Sequence, residues 1–174
     1  MTSNLIKKNL VILFISLFYF NFTFANELKL TTDPNAVCNN GEQATFTIKK
    51  GKSNKWAVIL PGGGIARNSE EYRSRPEGMK SPELKPHYFG QGIEKDLENR
   101  NYNLVFIPYC SSDLYQSDHI NLIDGNEIPF RGRVIVEDVI KKIDKKLKNA
   151  DEVMFLGYSA GAIGIGFHAK TIGK

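Results

Sequence analysis

Runs of hydrophobic residues predict four short β-strands in the chain after residue 25. The first, Ala44–Lys49, alternates between apolar and polar residues, as in a strand with one buried face. The other three runs are continuously apolar, which is typical of strands buried on both faces: Trp56–Leu60, Leu104–Ile107 and Val153–Leu156. The polar turn at Lys50–Asn54 follows the first strand and predicts a hairpin at this point.

Helices are predicted where the pattern changes to a spacing of three and four residues. Val134–Lys148 shows this periodicity most clearly, with lysines between the apolar positions. Ala160–Thr171 predicts a helix of small residues that can pack closely against a sheet, and Gln91–Asn99 predicts a short helix. The polar segment Glu27–Asn40 is predicted to be extended. The order of strands and helices indicates an α/β fold with a largely parallel sheet.

Two long segments lack periodicity and are predicted to be loops that follow strand ends. Residues 65–90 contain three prolines together with Arg67, Arg73 and Arg75. Residues 109–125 are polar and irregular. Ordered loops of this length commonly carry function.

The first 25 residues have the features of a secretory signal peptide. Lys7 and Lys8 precede an apolar block over residues 10–20, and residues 23–25 are suited to cleavage. The alternative is an N-terminal membrane anchor, because the apolar block can be extended to Phe24. Both interpretations place residues 26–174 across a membrane, so we expect a secreted or periplasmic protein without further membrane contact after cleavage.

The charge of the chain gives no sign of nucleic-acid binding. The net charge is +4, and loss of Lys7 and Lys8 with the signal peptide would lower it to +2. The lysines of Lys141–Lys148 lie in a predicted helix, where they are typical of a solvated outer face. Oligomeric state cannot be inferred from these patterns.

Cys38 and Cys110 are the two cysteines of the chain. An even number of cysteines in an exported protein favours one disulfide, although Cys110 at a strand end could equally be a buried free thiol. Their separation does not match the ligand spacing of a zinc site, so we expect no metal.

The sequence Gly157–Gly161 places Ser159 between two glycines, directly after a predicted strand and before a predicted helix. This arrangement is typical of the nucleophile elbow of serine hydrolases, in which the tight turn requires small neighbours and exposes the serine. The alternative is a glycine-rich turn that only permits close packing or binds a phosphate at the helix N-terminus. Ser159 is therefore the candidate nucleophile.

A second glycine-rich loop, Gly62–Gly64, follows the buried strand Trp56–Leu60. Loops of this kind supply backbone N–H groups to an oxyanion hole. We expect Gly63 or Gly64 to contribute one N–H group and Ala160 another. The loop lacks the Lys-Ser/Thr pair that follows the glycines of a phosphate-binding P-loop.

Four segments of the chain together resemble the pectin acetylesterase and Notum family of carboxylesterases, in the same order and at similar spacing: Trp56–Gly64, Phe106–Asp113, Phe130–Gly132 and Gly157–Gly161. Cys38–Gly41 also resembles the start of the family. The similarity runs from about residue 30 onward and corresponds to roughly the N-terminal half of a complete member.

The resemblance implies an α/β-hydrolase-like, three-layer fold and an enzyme that removes O-acyl groups, above all acetyl groups, from a polysaccharide or related extracellular ester. No cofactor or metal is implied. Ser159 would be the nucleophile, with Gly63, Gly64 and Ala160 around the oxyanion. Asp113 and Arg131 would lie in loops near the site, where we interpret them as structural residues.

The chain departs from the family pattern in two places. Family members usually have an aromatic residue and a cysteine just after the glycine loop, where this chain has residues 65–67, Ile-Ala-Arg. Ala162 stands where the family often has a further glycine. The first difference affects the expected pocket wall but not the backbone donors.

The acid and the histidine of a catalytic triad are the missing parts of this interpretation. In the family both follow the nucleophile at a distance, so we expect residues 26–174 to be the N-terminal part of a longer domain. His168 lies nine residues after Ser159 on the same predicted helix, about 13 Å along its axis, and cannot reach the hydroxyl. His87 and His119 precede the serine, which argues against them by chain order.

Three functional hypotheses follow. The first is the exported carboxylesterase, which would be inactive or weakly active without its acid and base. The second is a non-catalytic binding module that keeps half of a hydrolase fold. The third is a different α/β-hydrolase, such as a lipase or peptidase, which would lack the match at Phe106–Asp113.

Overall fold

The computed structural model describes residues 25–172, so the signal-peptide prediction for the preceding residues lies outside the described part of the chain. The strands are β1 Glu27–Leu30, β2 Thr45–Lys49, β3 Lys55–Leu60, β4 Asn103–Phe106, β5 His119–Ile123, β6 Asn126–Phe130 and β7 Glu152–Gly157. The helices are α1 Ser69–Arg73, α2 Gly92–Asn99, α3 Gly132–Lys148 and α4 Ala160–Ile172, with a 3-10 turn at Glu77–Met79. No helix within residues 25–172 is long and apolar enough to cross a membrane.

Five strands form one mixed sheet in the order β1-β2-β4-β3-β7. β3 is parallel to both β4 and β7, whereas β2 is antiparallel to β1 and β4. Four strands therefore run in one direction and β2 runs against them. The architecture is a mixed α/β fold compatible with an α/β-hydrolase-like arrangement.

The predicted hairpin after Ala44–Lys49 is wrong. β2 and β3 follow each other in sequence, but β4 lies between them and pairs with both. The physical reason is the continuous burial of β3, whose residues 56–60 are each less than a tenth exposed. Burial on both faces is typical of strands in a parallel arrangement, and β3 is parallel to β4 and β7, which lie on either side of it.

Alternate residues of β3 belong to separate hydrophobic clusters on opposite faces of the sheet. Val58 and Leu60 pack with the apolar side of α3, which includes Ile135 and Val139. Ala57 faces the other way and packs with Leu97 of α2, together with Tyr102 and Leu104. β3 is thereby packed between α3 on one face of the sheet and α2 on the other.

The β5–β6 hairpin falls partly in the segment predicted to be irregular. It forms a separate two-stranded sheet, joined by the two residues Asp124 and Gly125, which have φ angles of 53° and +79°. Positive φ at both central residues is the mark of the turn that Asp-Gly favours. The Asp124-Gly125 dipeptide was therefore the feature of the sequence from which this hairpin could have been predicted. β1 lies within Glu27–Asn40, the segment predicted to be extended, whereas the short helix α1 was not predicted.

Cys38 and Cys110 form a disulfide, so the disulfide alternative is the one that the structure shows. Both cysteines are buried, and the backbone N–H of Asn39 donates to the carbonyl oxygen of Cys110 at 3.0 Å. The bond joins the segment between β1 and β2 to the loop that follows β4. This loop carries Ser111–Asp113 and contacts the Gly62–Gly64 loop through Tyr109.

Candidate active site

Ser159 lies in the two-residue connection between the end of β7 and the start of α4. Its φ angle is +54°, in the left-handed region that non-glycine residues avoid at a cost of about 1–3 kcal/mol. Tyr158 and Ser159 are exposed, whereas Ala160 is buried. The chain thus holds an exposed serine in a strained turn between a strand and a helix, as the elbow geometry requires.

The two glycines of this turn allow α4 to press against the sheet. A Cβ atom on Gly161 would lie 1.9 Å from the carbonyl oxygen of Leu60 in β3. A Cβ atom on Gly157 would lie 2.5 Å from the backbone carbonyl group of Gly161. No side chain fits at either position without movement of backbone atoms, so these glycines set the position of Ser159.

The glycine loop after β3 lies directly beside the elbow, because β3 and β7 are parallel neighbours and Leu60 pairs with Gly157. Gly62 is the glycine nearest the serine: a Cβ atom on it would lie 2.9 Å from Cβ and 3.5 Å from Oγ of Ser159. Sequence reasoning selected Gly63 and Gly64 and did not single out this contact.

Gly63 and Gly64 occupy the next two positions of the loop. A Cβ atom on Gly63 would lie 2.2 Å from the ring of Tyr109, and Gly64 has a φ angle of +70°. Within residues 25–172, the backbone N–H groups of Gly63, Gly64 and Ala160 donate no hydrogen bond. An N–H group in the first turn of a helix has no intrahelical partner, which explains the free donor at Ala160.

Tyr109 connects the glycine loop to the Phe106–Asp113 segment. Its hydroxyl donates to the carbonyl oxygen of Gly64 and accepts from the backbone N–H of Leu114, each at 2.7 Å. Burial raises the pKa of Tyr109 well above that of a free tyrosine, so the hydroxyl stays protonated and can donate. This residue was part of the predicted family match, but its contact with the loop was not foreseen.

Asp113 is a structural residue in the interior of the adjoining loop. Its carboxylate accepts from the Ser111 hydroxyl at 2.6 Å and from the backbone N–H groups of Tyr115, Ser117 and Gly132 at 3.0, 3.2 and 2.8 Å. Gly132 is the first residue of α3, so Asp113 fixes the start of that helix. Burial raises its pKa, while the hydrogen bonds act in the opposite direction.

Two of the three histidines serve other parts of the fold. His168 is buried in α4, and its Nε2 atom lies 2.8 Å from the carbonyl oxygen of Tyr115. Since a carbonyl only accepts, Nε2 carries the proton of this ring. His119 lies in β5 and stacks against Phe130 of β6. Arg131 forms an ion pair with Asp118 near this hairpin.

His87 lies closer to the elbow, in a cavity of about 420 Å³ that Tyr158 also lines. Its ring stacks on Phe106 with 3.6 Å between ring centroids, and Nε2 lies 3.2 Å from a carboxylate oxygen of Glu94. The cavity is lined by His87, Tyr88, Gln91, Gly92, Ile93, Glu94 and Tyr158. Sequence reasoning missed Glu94 and Tyr158, because nothing in their spacing marks a cavity.

Among residues 25–172, no cluster of three or more His, Cys, Asp or Glu side chains is placed to hold a metal ion.

The sequence of the chain is similar to those of known carboxylesterases. Palmitoleoyl-protein carboxylesterase notum1a of Danio rerio is 32% identical over 162 residues, which cover 85% of this chain and 32% of that protein. Palmitoleoyl-protein carboxylesterase NOTUM of Mus musculus is 35% identical over 149 residues, or 79% of this chain and 29% of that protein. The chain spans about a third of the length of these relatives.

The chain is also similar to a relative that is described as inactive. The inactive palmitoleoyl-protein carboxylesterase notum1b of Danio rerio is 33% identical over 99 residues, which cover 51% of this chain and 71% of that protein. The family described as Pectinacetylesterase matches residues 19–174. Because that match covers the β-sheet, the glycine loop and the serine elbow, the chain belongs to the pectinacetylesterase family.

Proposed function

We propose that the chain supplies the nucleophile and oxyanion hole of an exported serine carboxylesterase, which removes O-acyl groups, above all acetyl groups, from a polysaccharide or related extracellular ester. The observation that carries the proposal is the left-handed, exposed Ser159 packed directly against a glycine loop, whose Gly63 and Gly64 N–H groups donate no hydrogen bond within residues 25–172. Membership of the family supports esterase chemistry on acyl groups.

The reaction is acyl transfer in two steps. The Oγ atom of Ser159 attacks the ester carbonyl, the alcohol leaves, and water hydrolyses the acyl-enzyme. Negative charge on the carbonyl oxygen is stabilised by the N–H groups of Ala160 and of Gly63 or Gly64. Each such donor contributes about 3 kcal/mol to lowering the barrier.

Proton transfer to and from Ser159 requires a general base. His168 is bound to the Tyr115 carbonyl and His119 stacks in the hairpin, so neither supports this role. The family resemblance implies an aspartate and a histidine that follow the nucleophile in the complete enzyme. Full activity is therefore proposed for the whole protein. The chain spans about a third of the length of its relatives.

The cavity beside Tyr158 supports a hydroxylated substrate. Its lining includes the carboxylate of Glu94 and the imidazole of His87. A long alkyl chain in the cavity would displace water from both groups and offer no hydrogen bond in return. Sugar hydroxyl groups can form hydrogen bonds with both side chains, and exposed Tyr88 and Tyr158 offer flat faces for a sugar ring. These features favour a glycan ester over a fatty acyl ester.

A second candidate function is a non-catalytic binding module with half of a hydrolase fold. The specific observation in its favour is the similarity to a shorter relative that is described as inactive. Such a module would keep the cavity and the disulfide without needing turnover at Ser159.

The two functions are separated by the reactivity of Ser159. The exported chain is incubated with p-nitrophenyl acetate and, separately, with a fluorophosphonate that labels activated serines, and Ser159→Ala serves as the control. Because the chain is expected to be at most weakly active without its acid and base, the esterase predicts slow hydrolysis and slow labelling at a single serine, both of which disappear in the variant. Equal rates and no serine-specific label would instead support the binding module.

A further inference from the structure

We infer that Arg75 is a positioning residue, whose guanidinium fixes the Gly63–Gly64 peptide so that the Gly64 N–H group faces the oxyanion. This inference deepens the proposed function and rests on it. Arg75 belongs to the segment predicted as a long loop, and neither the sequence motifs nor the proposed chemistry assigned it a role.

Arg75 reaches the glycine loop from the turn that follows α1. Its Nη2 atom donates to the carbonyl oxygen of Gly63 at 2.6 Å. The guanidinium carbon lies 5.5 Å from the centre of the Tyr109 ring, and Nη2 also lies 3.7 Å from the sulfur of Met79. The guanidinium group therefore lies between the glycine loop and Tyr109, whose hydroxyl also contacts that loop.

The orientation of the Gly64 N–H group follows from the contact at Gly63. A trans peptide bond directs its C=O and N–H groups to opposite sides, and no cis peptide bond occurs in the described chain. When Arg75 holds the Gly63 carbonyl, the N–H group of the same peptide, which belongs to Gly64, faces away from Arg75. This is one of the two glycine donors assigned to the proposed oxyanion hole.

The neighbouring peptides are fixed in the same manner. The Tyr109 hydroxyl donates to the carbonyl of Gly64, and the Tyr115 hydroxyl lies 3.3 Å from the carbonyl oxygen of Pro61. Two carbonyls of the loop are thus held by side chains from outside it, and a third lies near the Tyr115 hydroxyl, whose single proton is shared with the nearer carbonyl of Ile107 at 3.1 Å. Glycines have unusual backbone freedom, so a loop of three glycines needs such contacts to keep its N–H groups in one direction.

A charged donor adds an electrostatic contribution. Hydrogen bonds from ionised groups are stronger than neutral ones, and they polarise the peptide that accepts them. Polarisation at the Gly63 carbonyl makes the Gly64 N–H group a better donor to a developing oxyanion. Arginine suits this position better than lysine because its planar guanidinium can contact a carbonyl and an aromatic ring together.

The buried Nε atom of Arg75 also favours a role beyond stability. This atom has no hydrogen-bond partner within residues 25–172. A buried donor without a partner is destabilising, so packing alone does not account for an arginine here. The hydrogen bond that Nη2 donates to the Gly63 carbonyl gives the charged side chain a polar role at this position.

The test compares Arg75→Met and Arg75→Lys with Arg67→Met, a change to an exposed arginine of the same segment that pairs with Glu71. All variants are made in the full chain and checked for cooperative unfolding. With p-nitrophenyl acetate, we expect Arg75→Met to lower kcat at least tenfold with little change in KM. We expect Arg75→Lys to recover part of the loss and Arg67→Met to match the parent. The rate of fluorophosphonate labelling should follow the same order.

A second measurement does not depend on turnover. In NMR spectra of the labelled chain, Arg75→Met should shift the ¹³C resonance of the Gly63 carbonyl and the ¹⁵N resonance of Gly64, whereas Arg67→Met should not. Unchanged resonances, or equal labelling rates in folded Arg75 variants and the parent, would overturn the inference. If the parent and Ser159→Ala react alike, the proposed function fails, and the two resonances still decide whether Arg75 orients the loop.

Discussion

Gly62 and Ser159 are in contact across two neighbouring strand ends: a methyl group on Gly62 would lie 2.9 Å from Cβ of Ser159. This contact brings the glycine loop and the elbow together at one point. It depends on the absence of a side chain at residue 62, since the facing atoms belong to the predicted nucleophile and to the backbone of Tyr158.

Gly62→Ala should therefore displace the loop from the elbow. We expect a loss of stability of about 1–3 kcal/mol from overpacking, together with loss of the serine-dependent reaction. Urea unfolding and p-nitrophenyl acetate hydrolysis measure the two effects. Gly78→Ala is the matched control, because a Cβ atom on Gly78 meets nothing within 4 Å. If both variants behave like the parent, the close approach is not a constraint on the site.

Ser159→Gly should stabilise the chain while removing its proposed nucleophile. Ser159 has a φ angle of +54°, which glycine adopts without steric cost. We expect the free energy of unfolding to rise by about 1 kcal/mol. Ser159→Ala keeps the strain and should show no such gain. A melting experiment in which the glycine variant is the less stable of the two would contradict the assignment of strain to this turn.

Loss of the disulfide should be the most destabilising of these changes. Cys38 and Cys110 are 72 residues apart, and closing a loop of that size in the unfolded chain is worth about 4 kcal/mol in the chain-entropy account. Paired replacement of both cysteines by serine should lower the urea midpoint strongly. Reduction of the parent should have a similar effect, and it should leave the paired variant unchanged. A midpoint that does not respond to reductant would argue against a stabilising bond.

His168 should make stability depend on pH near neutrality. Burial lowers its pKa, with a smaller opposing effect from its hydrogen bond to the Tyr115 carbonyl and from Glu137, and a further lowering effect from Arg133. The unfolded chain then binds the proton more tightly than the folded chain. The contribution to stability is complete above the ordinary histidine pKa, near 6.5, and is lost as the pH falls below it.

The measurement is urea unfolding of the parent and of His168→Gln between pH 5 and 8. Glutamine keeps a donor for the Tyr115 carbonyl but does not titrate, so this part of the pH dependence should disappear. His119→Gln, at an exposed position of the β5–β6 hairpin, serves as the control. Identical pH profiles for the parent and His168→Gln would exclude the buried histidine as their source.

The strands of the main sheet were predictable where burial on both faces requires a continuous run of apolar residues. Trp56–Leu60 and Val153–Leu156 are continuous apolar runs, and both are strands close to the predicted bounds. The pairing of β2 with β4 was not predictable from the turn at Lys50–Asn54, because the partner arrives about 55 residues later in sequence. Local turn chemistry cannot report a strand that inserts from that distance.

The same division applies to the candidate site. Ser159 and the glycine loop could be located because each depends on neighbours in sequence. Arg75 and Glu94 could not, since each meets the site only after the segment between β3 and β4 has folded back over the strand ends. The periodicity of apolar residues does not indicate contacts between segments that are distant in sequence.

The contact between Gly63 and Tyr109 has a consequence for the evolution of the family. A Cβ atom at residue 63 would lie 2.2 Å from the tyrosine ring, and the same tyrosine holds the carbonyl of Gly64. Neither position can change alone without loss of space or of a hydrogen bond. Two segments more than 40 residues apart in sequence are therefore expected to be inherited as one unit.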